Sequence, residues 1–255
     1  MGNNSVHKYL VDKALKLRQD TFKAFIKHGE AHLGGSFSII EILLALHEEV
    51  LTKEDKFILS KAHASFPYCI YLREKGFNTP ISTHLEIDPE NNIHCTTGSL
   101  GHGLPISVGM ALARKIQNKP GNIYVIISDG ECQEGTTWES LLIASKHRLD
   151  NLVLLIDYNK IQALTKLKDV LPLDNLILKL KSFKCDCLNV KNAHSFYELI
   201  SAFKKIKKNK KPTAIILNTI KGKGIKEFEN DPIWHARKIQ SKDINIGKKA
   251  LGIIK

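Results

Sequence analysis

The second half of the chain constrains the fold most strongly, because short unbroken apolar runs alternate there with segments of helical spacing. The apolar runs predict buried strands at 123–127, 152–157, 185–190 and 213–217. The periodicity between them predicts helices at 104–117, 137–148 and 195–207. Strands that lack polar alternation and are separated by helices are typical of a parallel sheet covered on both faces. We therefore expect an α/β fold with a mostly parallel sheet and helices on both of its faces.

The first half of the chain adds helices and one long polar segment. Apolar spacing predicts helices at 5–28, 39–49 and 64–75, and a short extended segment at 56–60. Residues 79–97 are irregular and rich in Pro, Asn and His, and a loop of this length is typically functional. Because no internal repeat, low-complexity linker or domain boundary is visible, we expect residues 1–255 to form a single domain.

The charge balance raises the question of nucleic acid. The 255 residues include 38 basic and 26 acidic side chains, which give a net charge of +12. Only five of the basic residues are Arg, the side chain that base reading and bidentate phosphate recognition favour, so we expect no nucleic-acid partner. A Lys-rich run at 204–211 ends a predicted helix, where it suits the helix dipole. It is either a solvated helix end or a surface for a phosphate-rich ligand or an acidic partner.

The apolar and cysteine patterns favour a soluble intracellular protein. No apolar run approaches the ~18 residues of a membrane helix, and charged residues interrupt any secretory signal near the N-terminus. We expect a cytoplasmic protein without a membrane partner. The five cysteines, an odd number without a Cys-x-x-Cys pair, indicate neither a disulfide framework nor a four-thiolate zinc site.

Two polar residues follow neighbouring predicted strands at the positions where each strand ends. Asp129, followed by Gly130, comes directly after the first of these strands, and Asn159 follows the next. They are separated by one strand–helix–strand unit, so adjacent parallel strands would direct both side chains at one cation. Magnesium prefers such oxygen ligands and commonly shares them with a diphosphate. The alternative, equally compatible with the spacing, is a surface turn in which Asp129 caps a helix.

Several motifs in order make the chain resemble the N-terminal half of transketolase, a thiamine-diphosphate-dependent family. The Asp-Gly…Asn spacing resembles the family's cofactor motif. The matching segments are HLGGS at 32–36, FILSKAH at 57–63 and TTGSLGHG at 96–103. The resemblance implies the fold of the family's diphosphate-binding domain. Asp129, Asn159 and the carbonyl of Ile161 are expected to bind Mg²⁺, or Ca²⁺ or Mn²⁺ in its place.

The resemblance also implies which residues contact the cofactor and move protons. The expected cofactor-binding residues are His63, Ser99, Leu100, Gly101, His102, Asp129, Gly130, Glu131, Glu134, Asn159, Ile161 and His235. The expected catalytic residues are His32, His63, His84 and His235, because imidazoles transfer protons near neutral pH. Glu134 and Glu139 match carboxylates that form a network across the family's dimer interface. Lys221 and Lys223 could face the diphosphate, the substrate or solvent.

The family's aminopyrimidine-binding and C-terminal half is not present in this sequence. The resemblance therefore implies the N-terminal subunit of a heteromeric transketolase, a transferase that moves a two-carbon ketol unit from a ketose or ketose phosphate to an aldose or aldose phosphate. We expect a partner resembling the C-terminal half, in a heterotetramer. The alternatives are a subunit of another thiamine-dependent ligase or decarboxylase, and a non-catalytic binding subunit. The last alternative is favoured by Ser128, Ala62 and Ala236, where the family usually has Gly, and by Lys191-Asn192-Ala193-His194, where a segment nearer Asp-Gly-His-Asp is expected. The intact Asp129, Asn159 and Glu134 and four well-matched histidines weigh against it.

Overall fold

The computed structural model describes residues 3–163 and 165–253, and the side chains of these residues apart from 3–7 and 30–31. Both ends of the expected domain, residues 1 and 255, lie outside this range. The strands are β1 (Glu30–Ala31), β2 (Lys56–Leu59), β3 (Ile123–Ser128), β4 (Leu152–Tyr158), β5 (Asp186–Val190), β6 (Thr213–Asn218) and β7 (Arg237–Lys238). The α-helices are α1 (Asn3–His28), α2 (Leu33–Phe37), α3 (Ile40–Glu49), α4 (Phe66–Glu74), α5 (Gly103–Ile116), α6 (Gly135–Lys146), α7 (Leu167–Val170), α8 (Leu176–Ser182), α9 (Phe196–Phe203) and α10 (Ser241–Ala250).

Five strands form one parallel sheet in the order β2-β3-β4-β6-β5. Each neighbouring pair is parallel, and Ser128 at the end of β3 is in register with Asp157 near the end of β4. The carboxyl ends of these strands therefore share one edge, where ligands of open α/β sheets bind. The predicted mostly parallel sheet is confirmed.

Both faces of this sheet are buried against helices. Along β4, Val153 and Leu155 belong to a core shared with α1, α3, α4 and α9. The alternate residues Leu152, Leu154 and Ile156 belong to a second core shared with α5, α6 and α8. Because a strand directs successive side chains to opposite faces, two cores require an unbroken apolar strand. The predicted helical cover on both faces is confirmed.

A two-stranded antiparallel sheet joins distant parts of the chain. In it, β1 pairs with β7, with Glu30 opposite Lys238 and Ala31 opposite Arg237. The residues flanking these short strands include His32 and His235. The pairing therefore brings two of the expected catalytic histidines to the same place.

The predicted helix at 195–207 is too long. Helix α9 ends at Phe203, so most of the Lys-rich run lies in the connection to β6. Lys208 Nζ donates to the side chain of Asn122 at 2.5 Å and to the carbonyl of Asp150 at 3.2 Å. These contacts bind the connection to the amino edge of the sheet. Local helix propensity is overridden there by tertiary hydrogen bonds.

Two further expectations concern membranes and cysteines. In the described part of the chain, no helix is long and apolar enough to cross a membrane. All five cysteines are free thiols, and Cys187 is only half-buried whereas the other four are buried.

Two helical glycines provide a matched test of core packing. A Cβ added to Gly247 would lie 2.0 Å from Cζ of the buried Phe22, whereas a Cβ added to Gly109 would meet nothing within 4 Å. We expect Gly247→Ala to lower the free energy of unfolding by about 1–3 kcal/mol through overpacking. Gly109→Ala should raise it by about 0.5–1 kcal/mol, because Ala is the better helix former. Urea denaturation of both variants checks this, and equal midpoints would contradict it.

Candidate active site

A cavity of about 250 Å³ opens at the carboxyl edge of the sheet, beyond the ends of β3 and β4. Eight of the expected site residues line it: His63, Leu100, Asp129, Gly130, Glu134, Asn159, Ile161 and His235. Residues far apart in sequence thus converge where the sheet topology places a ligand site.

Asp129 and Asn159 occupy this edge on adjacent strands, as their spacing predicts. Asp129 is 2% exposed, and its Oδ2 accepts the backbone N–H of Lys160 at 2.6 Å. Asn159 Oδ1 accepts the backbone N–H of Ile161 at 3.1 Å. Burial, and secondarily the charge of Asp157, raises the pKa of Asp129 to about 7. A carboxylate in this environment gains from a bound cation, which would offset its desolvation.

The oxygen donors at this edge are of mixed type. Within the residues described, no three His, Cys, Asp or Glu side chains are grouped as a metal cluster. A cation here would depend on one carboxylate, one amide and the carbonyl of Ile161. These are hard oxygen donors, which suit magnesium when a diphosphate supplies further ligands.

Asp157 and Lys61 form a buried ion pair in which Lys61 lines the cavity and Asp157 lies beneath it. Lys61 Nζ lies 2.5 Å from Asp157 Oδ2, and the two side chains are 1% and 0% exposed. Asp157 also accepts from Ser38 at 2.7 Å, from Asn159 Nδ2 at 3.2 Å and from Thr219. Burial acts to raise the pKa of Asp157, but the charge of Lys61 and these hydrogen bonds lower it below its ordinary value. Asp157 therefore orients the Asn159 amide, whose other end faces Ile161.

Glu131 has a comparable positioning role and does not line the cavity. Its side chain is fully buried and accepts from the Ser60 hydroxyl, from the Gly101 N–H at 3.1 Å and from the Ser128 N–H at 2.8 Å. Glu131 is expected to contact the cofactor, but the structure buries it behind the residues that line the cavity. Its carboxylate is fully engaged in joining β2, β3 and the loop that precedes α5.

Two histidines and a lysine, His63, His235 and Lys221, line the other wall of the cavity, and His32 packs against both histidines without lining it. The rings of His32, His63 and His235 lie 5.2–5.4 Å apart, centroid to centroid. Lys221 Nζ lies 3.0 Å from His235 Nδ1, 3.0 Å from the carbonyl oxygen of Ile161 and 3.2 Å from that of Gln162. An ammonium group donates only, so Nδ1 of His235 accepts and Nε2 carries the ring proton.

The charges around this wall keep its histidines neutral. Burial, and then the charge of Lys221, lowers the pKa of His235 to about 3. Burial and the charge of Lys61 hold the pKa of His63 well below its ordinary value. Lys221 itself is buried, which lowers its pKa to about 8, with a further lowering by Lys61. Near neutral pH the wall therefore combines neutral imidazoles with one ammonium group.

Besides His32 and Glu131, five expected residues do not line the cavity: His84, Ser99, Gly101, His102 and Glu139. Gly101 is buried. His84, Ser99 and His102 are exposed. His84 packs against Gly98, where an added Cβ would contact its ring, and His102 Nδ1 bonds to Ser99 and to the Leu100 carbonyl. Glu139 is exposed on α6, whereas Glu134 is exposed at the cavity. The backbone bridge between Leu85 and Thr97 lies next to His84 in this loop.

The three departures from glycine do not distort the backbone. None of Ala62, Ser128 and Ala236 has a positive φ, so none of them needs the freedom of glycine. The Ser128 hydroxyl is used structurally, because it accepts the Glu131 N–H at 3.2 Å. These positions give no support to the alternative of a damaged, non-catalytic site.

Sequence reasoning missed several lining residues. Lys61 and Asp157 lie inside or beside recognised motifs, yet nothing in the sequence marks them as a pair. The sequence does not decide whether Lys221 faces the diphosphate, the substrate or solvent, and no motif marks Gln133 or Gln162. All of these line the cavity except Asp157, which lies beneath it.

Comparison with known proteins gives a consistent family match. Residues 17–255 match the family described as transketolase, thiamine diphosphate binding domain. The 6-deoxy-6-sulfo-D-fructose transketolase subunit SqwG from Clostridium sp. strain MSTE9 is 34% identical over 252 residues, covering 90% of this chain and 91% of that protein. One of the apulose-4-phosphate transketolase subunits, from Actinobacillus succinogenes, is 31% identical over 241 residues, covering 86% and 87% respectively.

Longer relatives match only in part. Human transketolase is 32% identical over 253 residues, which cover 89% of this chain but 40% of the human protein. The crystal structure of transketolase from Campylobacter jejuni superposes with a TM-score of 0.80 at 26% identity, covering 94% of this chain and 43% of that one. This chain therefore spans less than half of these longer transketolases.

The buried ion pair can be tested by breaking it. We expect Lys61→Met to lower the free energy of unfolding by about 3–5 kcal/mol, because it leaves the Asp157 carboxylate buried without its counter-charge. The double variant Lys61→Met/Asp157→Asn should regain part of this loss, since the buried charge is removed. Chemical denaturation measures both. Lys53→Met, whose side chain is 91% exposed, is the matched control and should change little.

A Lys61→Met variant as stable as the Lys53→Met control would contradict the role assigned to the pair.

Proposed function

The chain belongs to the transketolase family through its thiamine-diphosphate-binding domain, and we propose that it is the cofactor-diphosphate-binding subunit of a two-polypeptide transketolase. The complete enzyme would transfer a two-carbon ketol unit from a ketose or its phosphate to an aldose or its phosphate. The observation that carries the proposal is the convergence of Asp129, Asn159, Lys221 and neutral histidines on one cavity at the carboxyl edge of the sheet.

The residues present fit a magnesium diphosphate. Asp129, Asn159 and the Ile161 carbonyl offer oxygen atoms to the cation. Lys221 offers a buried ammonium group to the anionic oxygens, and its present acceptors, two carbonyls and an imidazole, are neutral. An anion would replace these neutral acceptors with a stronger, charge-assisted contact.

Thiamine diphosphate, when bound, supplies the carbanion chemistry of ketol transfer, and the protein supplies orientation and electrostatics. His235 carries its ring proton at Nε2 and can donate a hydrogen bond from there to a sugar hydroxyl or carbonyl oxygen. His63 is neutral and can accept a proton. Groups placed in this way typically contribute ~10²–10⁴-fold to the rate. Lys221 fixes the orientation of the His235 ring, and Asp157 fixes that of Asn159.

A second polypeptide is part of the proposal. SqwG and the apulose-4-phosphate transketolase subunit, which match this chain over most of their own length, are both named as subunits. We infer that the partner resembles the C-terminal half of longer transketolases and supplies the aminopyrimidine-binding residues, in a heterotetramer. Glu134 is exposed at the cavity and Glu139 is exposed on α6. Both carboxylates would then lie at the interface between subunits of that assembly. His84, Ser99 and His102 would contribute only once the partner closes over their exposed loops.

The metal assignment can be tested in the assembled complex. We expect Asp129→Ala to abolish the magnesium-dependent part of thiamine diphosphate binding, because the carboxylate is the only charged donor in the proposed ligand set. Calorimetric titrations with and without Mg²⁺ measure this. Asp12→Ala, an exposed position on α1, is the control and should bind as the wild type does. Retention of magnesium-dependent affinity by Asp129→Ala would refute the assignment.

The need for a partner gives a second prediction. The purified chain alone should show weak cofactor binding and no ketol transfer, because one side of the cavity is open and water weakens the electrostatics there. Activity should appear when the C-terminal-half chain is added, and light scattering should then report a particle with two copies of each chain. Robust turnover by this chain alone, with no co-purifying protein visible by mass spectrometry, would disprove the proposal.

A further inference from the structure

Residues 219–235, here called the strap, lead from the end of β6 to His235. The strap carries Lys221, whose Nζ reaches across the cavity to the carbonyls of Ile161 and Gln162. The two cavity residues of the strap, Lys221 and His235, are 3.0 Å apart, Nζ to Nδ1. The position of the strap backbone therefore decides where the cavity presents its ammonium group.

The strap is anchored at its root by a buried histidine. The backbone N–H of Ile220 donates to His194 Nε2 at 2.9 Å. On the other side of the ring, His194 Nδ1 lies 2.9 Å from Glu41 Oε2, and Arg18 Nη2 donates to Glu41 Oε1 at 2.7 Å. We call Arg18, Glu41 and His194 the anchor. Their side chains are only 7–9% exposed.

The hydrogen bonds fix the tautomer of His194. Nε2 accepts the Ile220 N–H, so it carries no proton, and Nδ1 carries the proton that it donates to Glu41. Glu41 is ionised: burial acts to raise its pKa, but the charge of Arg18 and the hydrogen bond from His194 hold it at about 2. An ionised acceptor favours the Nδ1–H tautomer and so leaves Nε2 available to the strap.

A second contact ties the anchor to the strap. Gly224 has a φ of +103°, and a Cβ at this position would lie 2.5 Å from Arg18 Cδ. The strap backbone thus lies directly on the Arg18 side chain. Directly after Lys221 in the strap, the Gly222 N–H donates to the Gly34 carbonyl at 3.0 Å. The strap is held on both sides of Lys221.

None of the three anchor residues lines the cavity. We infer that His194 is a positioning residue, which holds the Ile220 amide and thereby fixes Lys221 in the cavity, with Glu41 and Arg18 selecting its tautomer. The effect on the cofactor rests on the function proposed above, whereas the anchoring of the strap does not. The competing explanation is that His194 merely packs the turn before α9 against α3.

The first test measures amide hydrogen exchange of the full chain and needs no partner. His194→Asn keeps an amide that can donate to Glu41 but is too short to reach Ile220, whereas His194→Gln can place an acceptor near the position of Nε2. We expect exchange of the segment 219–224 to rise about tenfold in His194→Asn, the scale of one lost buried hydrogen bond, and to stay near wild type in His194→Gln. His147→Asn, an exposed histidine, is the control.

Equal exchange of this segment in the Asn and Gln variants would overturn the inference. If His194→Asn does not fold, the wild-type chain decides, because a fast-exchanging Ile220 amide would also overturn it.

The second test asks whether His194 acts through Lys221. In the assembled complex, we expect His194→Asn to weaken thiamine diphosphate binding about tenfold, as loss of an outer-shell partner typically does. In a Lys221→Met background the same change should cost less than about twofold, because the group being positioned is gone. Additive effects of the two changes would show a merely structural role. A complex that binds no cofactor at all would refute the proposed function, while the exchange experiment still tests the anchor.

Discussion

The rest of the site depends on the ion pair of Lys61 and Asp157. A parallel sheet brings the carboxyl ends of its strands to one edge, but it does not fix the loops that follow them. Asp157 does so, because its two oxygens bind groups from the end of β2, from the turn between α2 and α3, and from the end of β6. A carboxylate this deeply buried persists only where every neighbour offers a proton or a charge. The ion pair therefore joins three separate segments of the chain at this edge of the sheet.

Three carboxylates at this edge have different roles because their surroundings differ. Asp157 has an ammonium partner and stays ionised, so it organises the strand ends. Glu131 is surrounded by backbone and hydroxyl donors and joins β2 and β3 to the loop before α5. Asp129 is equally buried but faces the cavity, and its pKa is raised to about 7 by burial and by Asp157. The protein itself supplies the hydrogen bonds and the counter-charge for Asp157 and Glu131, whereas Asp129 would be stabilised most by a bound cation.

Whether the sequence predicts a feature of the fold or the site depends on how far apart in the chain the residues that determine it lie. Asp129 and Asn159 were predictable, because one strand–helix–strand unit determines that they share an edge. The layered fold was predictable for the same reason, since unbroken apolar strands require two cores. The place of Lys221 in the cavity was not predictable. It depends on contacts of the strap with Gly34 and His194, which lie far away in sequence and which no local pattern encodes. The end of α9 was mispredicted because Lys208 bonds to Asn122 and Asp150 instead of continuing the helix.

The charges of the cavity are matched to a ligand that brings a cation and an anion together. Lys61 is neutralised by Asp157, so its charge is compensated within the protein. Lys221 retains its charge near neutral pH, since burial lowers its pKa only to about 8, yet its acceptors are neutral. Asp129 lies at the same cavity with a raised proton affinity. A lone anion would leave Asp129 destabilised, and a lone cation would be repelled by Lys221, so each charge by itself is disfavoured. A metal diphosphate would satisfy both groups at once, which is the electrostatic argument for the ligand proposed above.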